Sequence, residues 1–127
     1  RRHPLARRSH VTPPEVAREP LLMYARRDYP EYWDTINGGL RDHGQRPRIA
    51  GEYDGAENLM TAVESGLGVA VVTTRMARLF PNRARWIALE SAPEPVRIAV
   101  GHRANRVDDK PLAVFVEELR KAAPALA

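Results

Sequence analysis

The stretch "AVESGLGVAVVTT", Ala62 to Thr74, constrains the fold more than any other part of this chain. Gly66 can take the left-handed conformation that ends a helix at little cost. Gly68 lets the backbone turn closely into the next element, and "VAVV" is apolar throughout and mostly β-branched. A strand apolar on both faces is a buried strand, usually parallel, with helices covering each side. The stretch therefore reads as helix, cap, buried strand and a polar loop at the strand's carboxyl end. In open α/β sheets ligands bind at that end, which makes Val72, Thr73 and Thr74 candidate contacts.

The rest of the chain repeats this alternation. "TPPE", Thr12 to Glu15, has a threonine cap, prolines in the first turn and glutamate at the third position, so it starts a short helix. "LLMYA", Leu21 to Ala25, is an apolar run of strand length. Tyr29, Trp33, Ile36 and Leu40 then recur every three or four residues, the stripe of an amphipathic helix. Asp28 is expected to cap it and Gly44 to end it after His43. Gly38 and Gly39 interrupt its pattern, so either the helix breaks there or a neighbour packs too closely to tolerate a side chain, and close packing is the favoured reading. "RIAGEYD", Arg48 to Asp54, is a second strand with Ile49, Gly51 and Tyr53 on one face. Asp54 and Glu57 have the spacing of a capping box for the helix that runs into Gly66.

After the buried strand come a short helix, "TRMARLF", and strands in "ARWIALE" (Ala84–Glu90) and "VRIAVGH" (Val96–His102). A final helix follows Asp108 and Asp109, with Leu112, Phe115, Val116, Leu119 and Ala122 on one face. Strands and helices in turn imply an α/β fold with a mostly parallel sheet and right-handed crossovers.

Several chemistries find no support. His3, His10, His43 and His102 share no metal-ligand spacing, and there is no cysteine, so neither a metal nor a disulfide is expected. No G-x-S-x-G elbow surrounds Ser9, Ser65 or Ser91. "GLG" at Gly66 to Gly68 precedes a strand, the wrong context for a dinucleotide fingerprint, and no cofactor is implied. Nothing points to an enzyme. No run has the length of a membrane span. The net charge of +4 rests on arginines, with lysine only at 110 and 121, and acids lie beside most of them. That pattern reads as a mixed surface more readily than as a nucleic-acid footprint.

Four phrases carry a family resemblance: "HPLA" at His3 to Ala6, "LLMYARRDYPEYWDTI" at Leu21 to Ile36, "AENLMTAVESGLGVAVVT" at Ala56 to Thr73, and "FVEELR" at Phe115 to Arg120. In this order the chain resembles the carboxy-terminal part of the effector-binding (substrate-binding) domain of LysR-type transcriptional regulators, with Thr73 where proline is common. The resemblance implies a fold like type 2 periplasmic binding proteins, two α/β subdomains joined by crossing strands. Residues 1–10 would be a remnant of the crossing segment. Residues 11–96 would form the second subdomain, nearly complete, with a mostly parallel sheet flanked by helices. Residues 97–127 would supply the returning strand and helix of the first. The basic start without methionine, "RRHPLARRSH", suggests a fragment, so DNA would be read through a winged helix-turn-helix that this chain lacks.

The resemblance also implies a small-molecule effector held between subdomains, a cytoplasmic location and a homodimer, with the helix Pro30 to His43 as the candidate contact. Three loops then qualify as the site. The first carries Arg26, Arg27, Asp28 and the helix start Tyr29, Pro30, Glu31 and Tyr32; the second, Asp54, Gly55 and Ala56; the third, Val72, Thr73 and Thr74. Either arginine could pair with a carboxylate, and Tyr32 could stack on an aromatic body or belong to the core. Asp54 and Thr74 could equally be helix caps, and Trp33 and Trp86 read as structural. A small carboxylate or aromatic acid suits this chemistry. A solute-binding protein for transport would share the same fold and cleft.

Overall fold

The computed structural model of the chain describes residues 3–91, 101, 103 and 109–126. They fall into two units, Arg1–Glu94 and Pro95–Ala127.

In the first unit a 3-10 turn (Pro4–Arg7) leads through β1 (His10–Val11) to α1 (Pro13–Ala17), β2 (Pro20–Tyr24), α2 (Pro30–Arg41), β3 (Arg48–Tyr53), α3 (Ala56–Glu64), α4 (Thr74–Leu79) and β4 (Ala88–Leu89). β2 pairs in parallel with β3, and β1 with β4. The fold is thus α/β with parallel pairing, but it holds two two-stranded sheets among the described residues, where one mostly parallel sheet was expected.

β2 is the centre. Leu21, Leu22 and Met23 are fully buried, and the pleat sends Leu21 and Met23 to one face and Leu22 to the other. α2 covers the first face with Ile36 and Leu40, joined by Val11, Val16 and Ala17. α3 covers the second with Leu59 and Ala62. Burying each large side chain is worth roughly 1.5–3 kcal/mol, so β2 is the main hydrophobic tie between the two layers. The helices lie on opposite faces because the chain crosses from β2 to β3 on one side, then back to Val69 on the other. Right-handed crossovers in opposite directions put their helices on opposite faces.

Several expected features appear as read. Thr12 and Glu15 form a capping box, each side chain bonded to the other's backbone N–H. Gly66 has φ +76° and ends α3, and Gly44, at φ +70°, ends α2. Others differ. Asp28 does not cap α2: Tyr29 holds that position without a side-chain bond, and Asp28 pairs with Arg27 instead. No capping box forms at α3, where Gly55 is the cap and Glu57 is drawn to Arg83. The Ile49 face is also corrected. A bulge pairs Leu21 with Ile49 but Leu22 with Gly51, so Ile49 joins the Leu21 face while Tyr53 joins the Leu22 face. Gly38 has open space where a Cβ would stand, so no neighbour among the described residues explains it.

"VAVV" is not a full strand. It meets β2 through one parallel bridge, Leu21 to Val69, with Leu22 N–H donating to the Val69 carbonyl and Val69 N–H to Pro20. Its side chains do alternate between the two faces, Val69 and Val71 on one, Ala70 and Val72 on the other. They are half-buried. Continuing the ladder would use the carbonyls of Val71 and Tyr24 as acceptors. Both are taken by side chains, the Tyr32 hydroxyl at 2.8 Å and the Trp33 indole N–H. Gly68 makes the one bridge possible, since a Cβ there would stand 2.2 Å from the Pro20 carbonyl oxygen. The expected strand Ala84–Glu90 shrinks to β4, whose partner is the short β1.

In the second unit the final helix, α5 (Lys110–Leu126), forms as read, with the Asp109 carboxylate accepting from Leu112 N–H. Phe115 does not join its half-buried side with Leu112, Val116 and Leu119, being 59% exposed. The expected strand Val96–His102 and Asp108 lie outside the described residues, apart from Gly101.

Candidate functional site

The chain reverses its direction of travel across the sheet at β2, which lies between β3 on one side and the Val69 bridge on the other. Such switch points are where open α/β sheets place ligands. Tyr24 ends β2 and becomes the hub of this region. Its ring meets Tyr29 at 4.7 Å and Tyr32, edge-on, at 5.1 Å. Its hydroxyl points to the Met76 sulfur of α4 at 3.6 Å, and its carbonyl accepts from Trp33. Tyr24 thus joins the first loop to α4, the helix after the third, and pairs in the ladder with Tyr53, which precedes the second.

The first loop lies at this edge. Ala25 N–H donates to the Tyr53 carbonyl at 2.7 Å, and Arg26 N–H donates to the Glu52 carboxylate at 2.9 Å. The Arg26 side chain is exposed, with its guanidinium over the Trp33 ring at 5.8 Å. Arg27 donates to both oxygens of Asp28, at 3.1 and 3.3 Å. That bond raises the arginine's already high pKa further, and the charge of Asp54 adds to the effect. Pro30 and Glu31 are exposed in the first turn of α2.

Tyr32 belongs mainly to the core. It packs against the Leu21 face, and its hydroxyl is committed to Val71. Burial pushes its pKa up, because the phenolate would lose its hydration. Tyr24 shifts the same way for the same reason.

Asp54, at the end of β3, is exposed and accepts from the Asn58 side chain at 2.7 Å. In the third loop, Val72 packs on the Leu22 face. Thr73 is the cap residue of α4 without a side-chain bond, and Thr74 is its first residue, so Thr74 is not the cap. Both are exposed, and no hydrogen bond engages either hydroxyl among the described residues.

Of the nine candidate residues, Arg26, Asp54 and Thr73 follow the carboxyl ends of three parallel segments, whereas Tyr32 and Val72 pack into the two core clusters. Two surface hollows lie elsewhere, one bordered by Ile36, Gly39, Leu40 and Val71, the other by Asn37, Arg41, Gln45 and Arg46. Neither includes any of the nine. Sequence reasoning placed Tyr29 in the first loop but missed Tyr24, Glu52 and Met76. Tyr24 carried a signal, an aromatic residue closing the apolar run of a strand; Glu52 and Met76 carried none. Trp33 and Trp86 are half-buried, each indole donating to a backbone carbonyl, as structural residues do. No group of three or more His, Asp or Glu side chains among the described residues is placed to hold a metal, and no described helix is long and apolar enough to cross a membrane.

This architecture defines an α/β domain with a switch of strand order at its central parallel strand. The chain belongs to the family described as LysR substrate binding domain, which matches residues 1–124. It is 35% identical over 77 residues to an HTH-type transcriptional regulator, TtuA, of Agrobacterium vitis, covering 61% of this chain and 25% of that protein. It is 31% identical over 87 residues to an uncharacterized HTH-type transcriptional regulator, YnfL, of Escherichia coli, covering 68% of this chain and 29% of that protein. The alignments thus span only a quarter to under a third of these relatives' lengths.

Proposed function

We propose that this chain is the effector-sensing part of a LysR-type transcriptional regulator and takes a small carboxylate or aromatic acid at the strand ends around Tyr24. In this reading residues 11–96 are one subdomain of a type 2 periplasmic-binding-protein fold. Residues 1–10 are part of the crossing segment, and 97–127 contribute to the other subdomain. Effector contacts made with both subdomains favour one interdomain arrangement, and the difference in affinity between arrangements sets the shift. In a cytoplasmic homodimer that shift would pass to DNA through a helix-turn-helix elsewhere in the full protein. The chain itself carries out no reaction.

What supports this reading is that β2, β3 and the Val69 segment run parallel, so that Arg26, Asp54 and Thr73 each follow a carboxyl end beside the switch point. Arg26 supplies charge, and Thr73 and Thr74 supply unengaged hydroxyls. The two regulator relatives favour this over transport, which the same architecture could also serve.

A thermal-shift panel of small carboxylates tests the reading, because a ligand that binds only the native state raises its melting temperature. At least one carboxylate is expected to stabilise the chain and to lose that effect in Arg26→Met. A panel with no active member, or a response unchanged in Arg26→Met, contradicts the reading.

A further inference from the structure

The charges around the strand ends do not suit a simple anion. Arg26 and Arg27 share these strand ends and helix starts with four carboxylates: Asp28, Glu31, Glu52 and Asp54. Arg27 is committed, bonded to both oxygens of Asp28. Arg26 is not. Among the described residues its guanidinium meets only the Trp33 ring, so its fork of donors remains open. Its own backbone N–H meanwhile holds the Glu52 carboxylate beside it. Asp54 lies one residue beyond Tyr53, whose carbonyl binds Ala25, so it flanks the same spot. The Tyr29 ring, 38% exposed, stands over Tyr24 at this edge.

An open guanidinium fork selects a carboxylate. Carboxylates beside an aromatic face select a cation. Resting on the effector-site reading above, we propose that the ligand is a zwitterion of the α-amino-acid type. Its carboxylate pairs with Arg26 and its ammonium group lies against Glu52 and Asp54, with the Tyr29 ring as a wall. A ligand with two negative charges would meet repulsion from those acids, and binding through Arg27 would require breaking its pair with Asp28.

The test uses the full chain and two pools of probes: the proteinogenic α-amino acids, and the same carboxylates without the amino group. The amino-acid pool is expected to raise the melting temperature. By calorimetry its active member should bind about tenfold or more tightly than its deaminated counterpart, since a hydrogen bond to a charged group is worth that much. Glu52→Gln and Asp54→Asn, separately and together, should erode this preference, weakening binding of the amino acid while relieving the repulsion that the deaminated acid meets from these carboxylates. Arg26→Met should abolish binding of both. All three residues are exposed, and melting followed by circular dichroism checks that each variant folds.

If the deaminated acids bind as tightly as the amino acids, or the preference survives in both acidic-residue variants, the zwitterion assignment is overturned and the carboxylate reading stands. If neither pool stabilises the chain, both fall.

Discussion

Gly68 and Gly38 occupy opposite environments, and the contrast can be measured. A methyl group at Gly68 would drive into the Pro20 carbonyl, a backbone atom that cannot swing aside without breaking the bridge to Val69. Gly68→Ala is expected to destabilise the chain by roughly 1–3 kcal/mol. At Gly38, inside α2, a methyl group meets nothing among the described residues. Gly38→Ala should therefore stabilise the chain by roughly 0.5–1 kcal/mol, the ordinary gain for glycine replaced in a helix. Urea midpoints of the two variants check both signs. At this scale the sequence was partly legible. Thr12 with Glu15 and Asp54 with Glu57 share one spacing, yet only the first pair forms a box. Glu57 instead finds Arg83, 26 residues away, and no local pattern records a partner at that separation.

Among the elements, the segment Val69 to Val72 is where local reading and tertiary structure part. Its alternation onto both faces of the sheet was legible from "VAVV". Its missing ladder was not, because the competing donors are the side chains of Tyr32 and Trp33 on another helix. Val72 still seals the face formed by Leu22, Leu59 and Ala62. Val72→Asp would place a carboxylate against that apolar cluster and should cost about 2 kcal/mol or more. An unchanged unfolding midpoint would show that the segment adds nothing to the core. The two-residue strands β1 and β4 and the bulge at Ile49 left no mark in the sequence, since each depends on which partner lies alongside.

α3 is also tied to the turn after α4. Arg83 donates to both oxygens of Glu64, at 2.9 and 2.7 Å, and to Glu57. Its bond holds the Glu64 carboxyl below the ordinary 4.5. A lowered acid stabilises the fold above its unfolded value, and the effect fades as pH falls through the folded value. Arg83→Met should therefore melt below the parent chain at neutral pH, with the gap closing as pH drops below the ordinary 4.5. A gap that is constant with pH would mean that Arg83 acts through its contact with Phe80 and not through charge.

For the whole molecule, the sequence made the alternation of strands and helices plain, and the family phrases located the three loops. Neither revealed that Tyr24 would link the first loop to α4, because its contacts with Tyr29, Tyr32 and Met76 come from two separate helices and the loop before one of them. Nor did they reveal that Arg26 would stay open while Arg27 was spent on its neighbour. The account therefore rests on one spatial claim: the ends of β2, β3 and the Val69–Val72 segment form one binding edge. Amide chemical-shift mapping, with whichever carboxylate most stabilises the chain, examines that claim directly. Resonances of Arg26, Glu52 to Gly55 and Val72 to Thr74 are expected to move together and saturate at one ligand concentration. Shifts confined to Asn37, Arg41, Gln45 and Arg46, with those three segments unmoved, would contradict it.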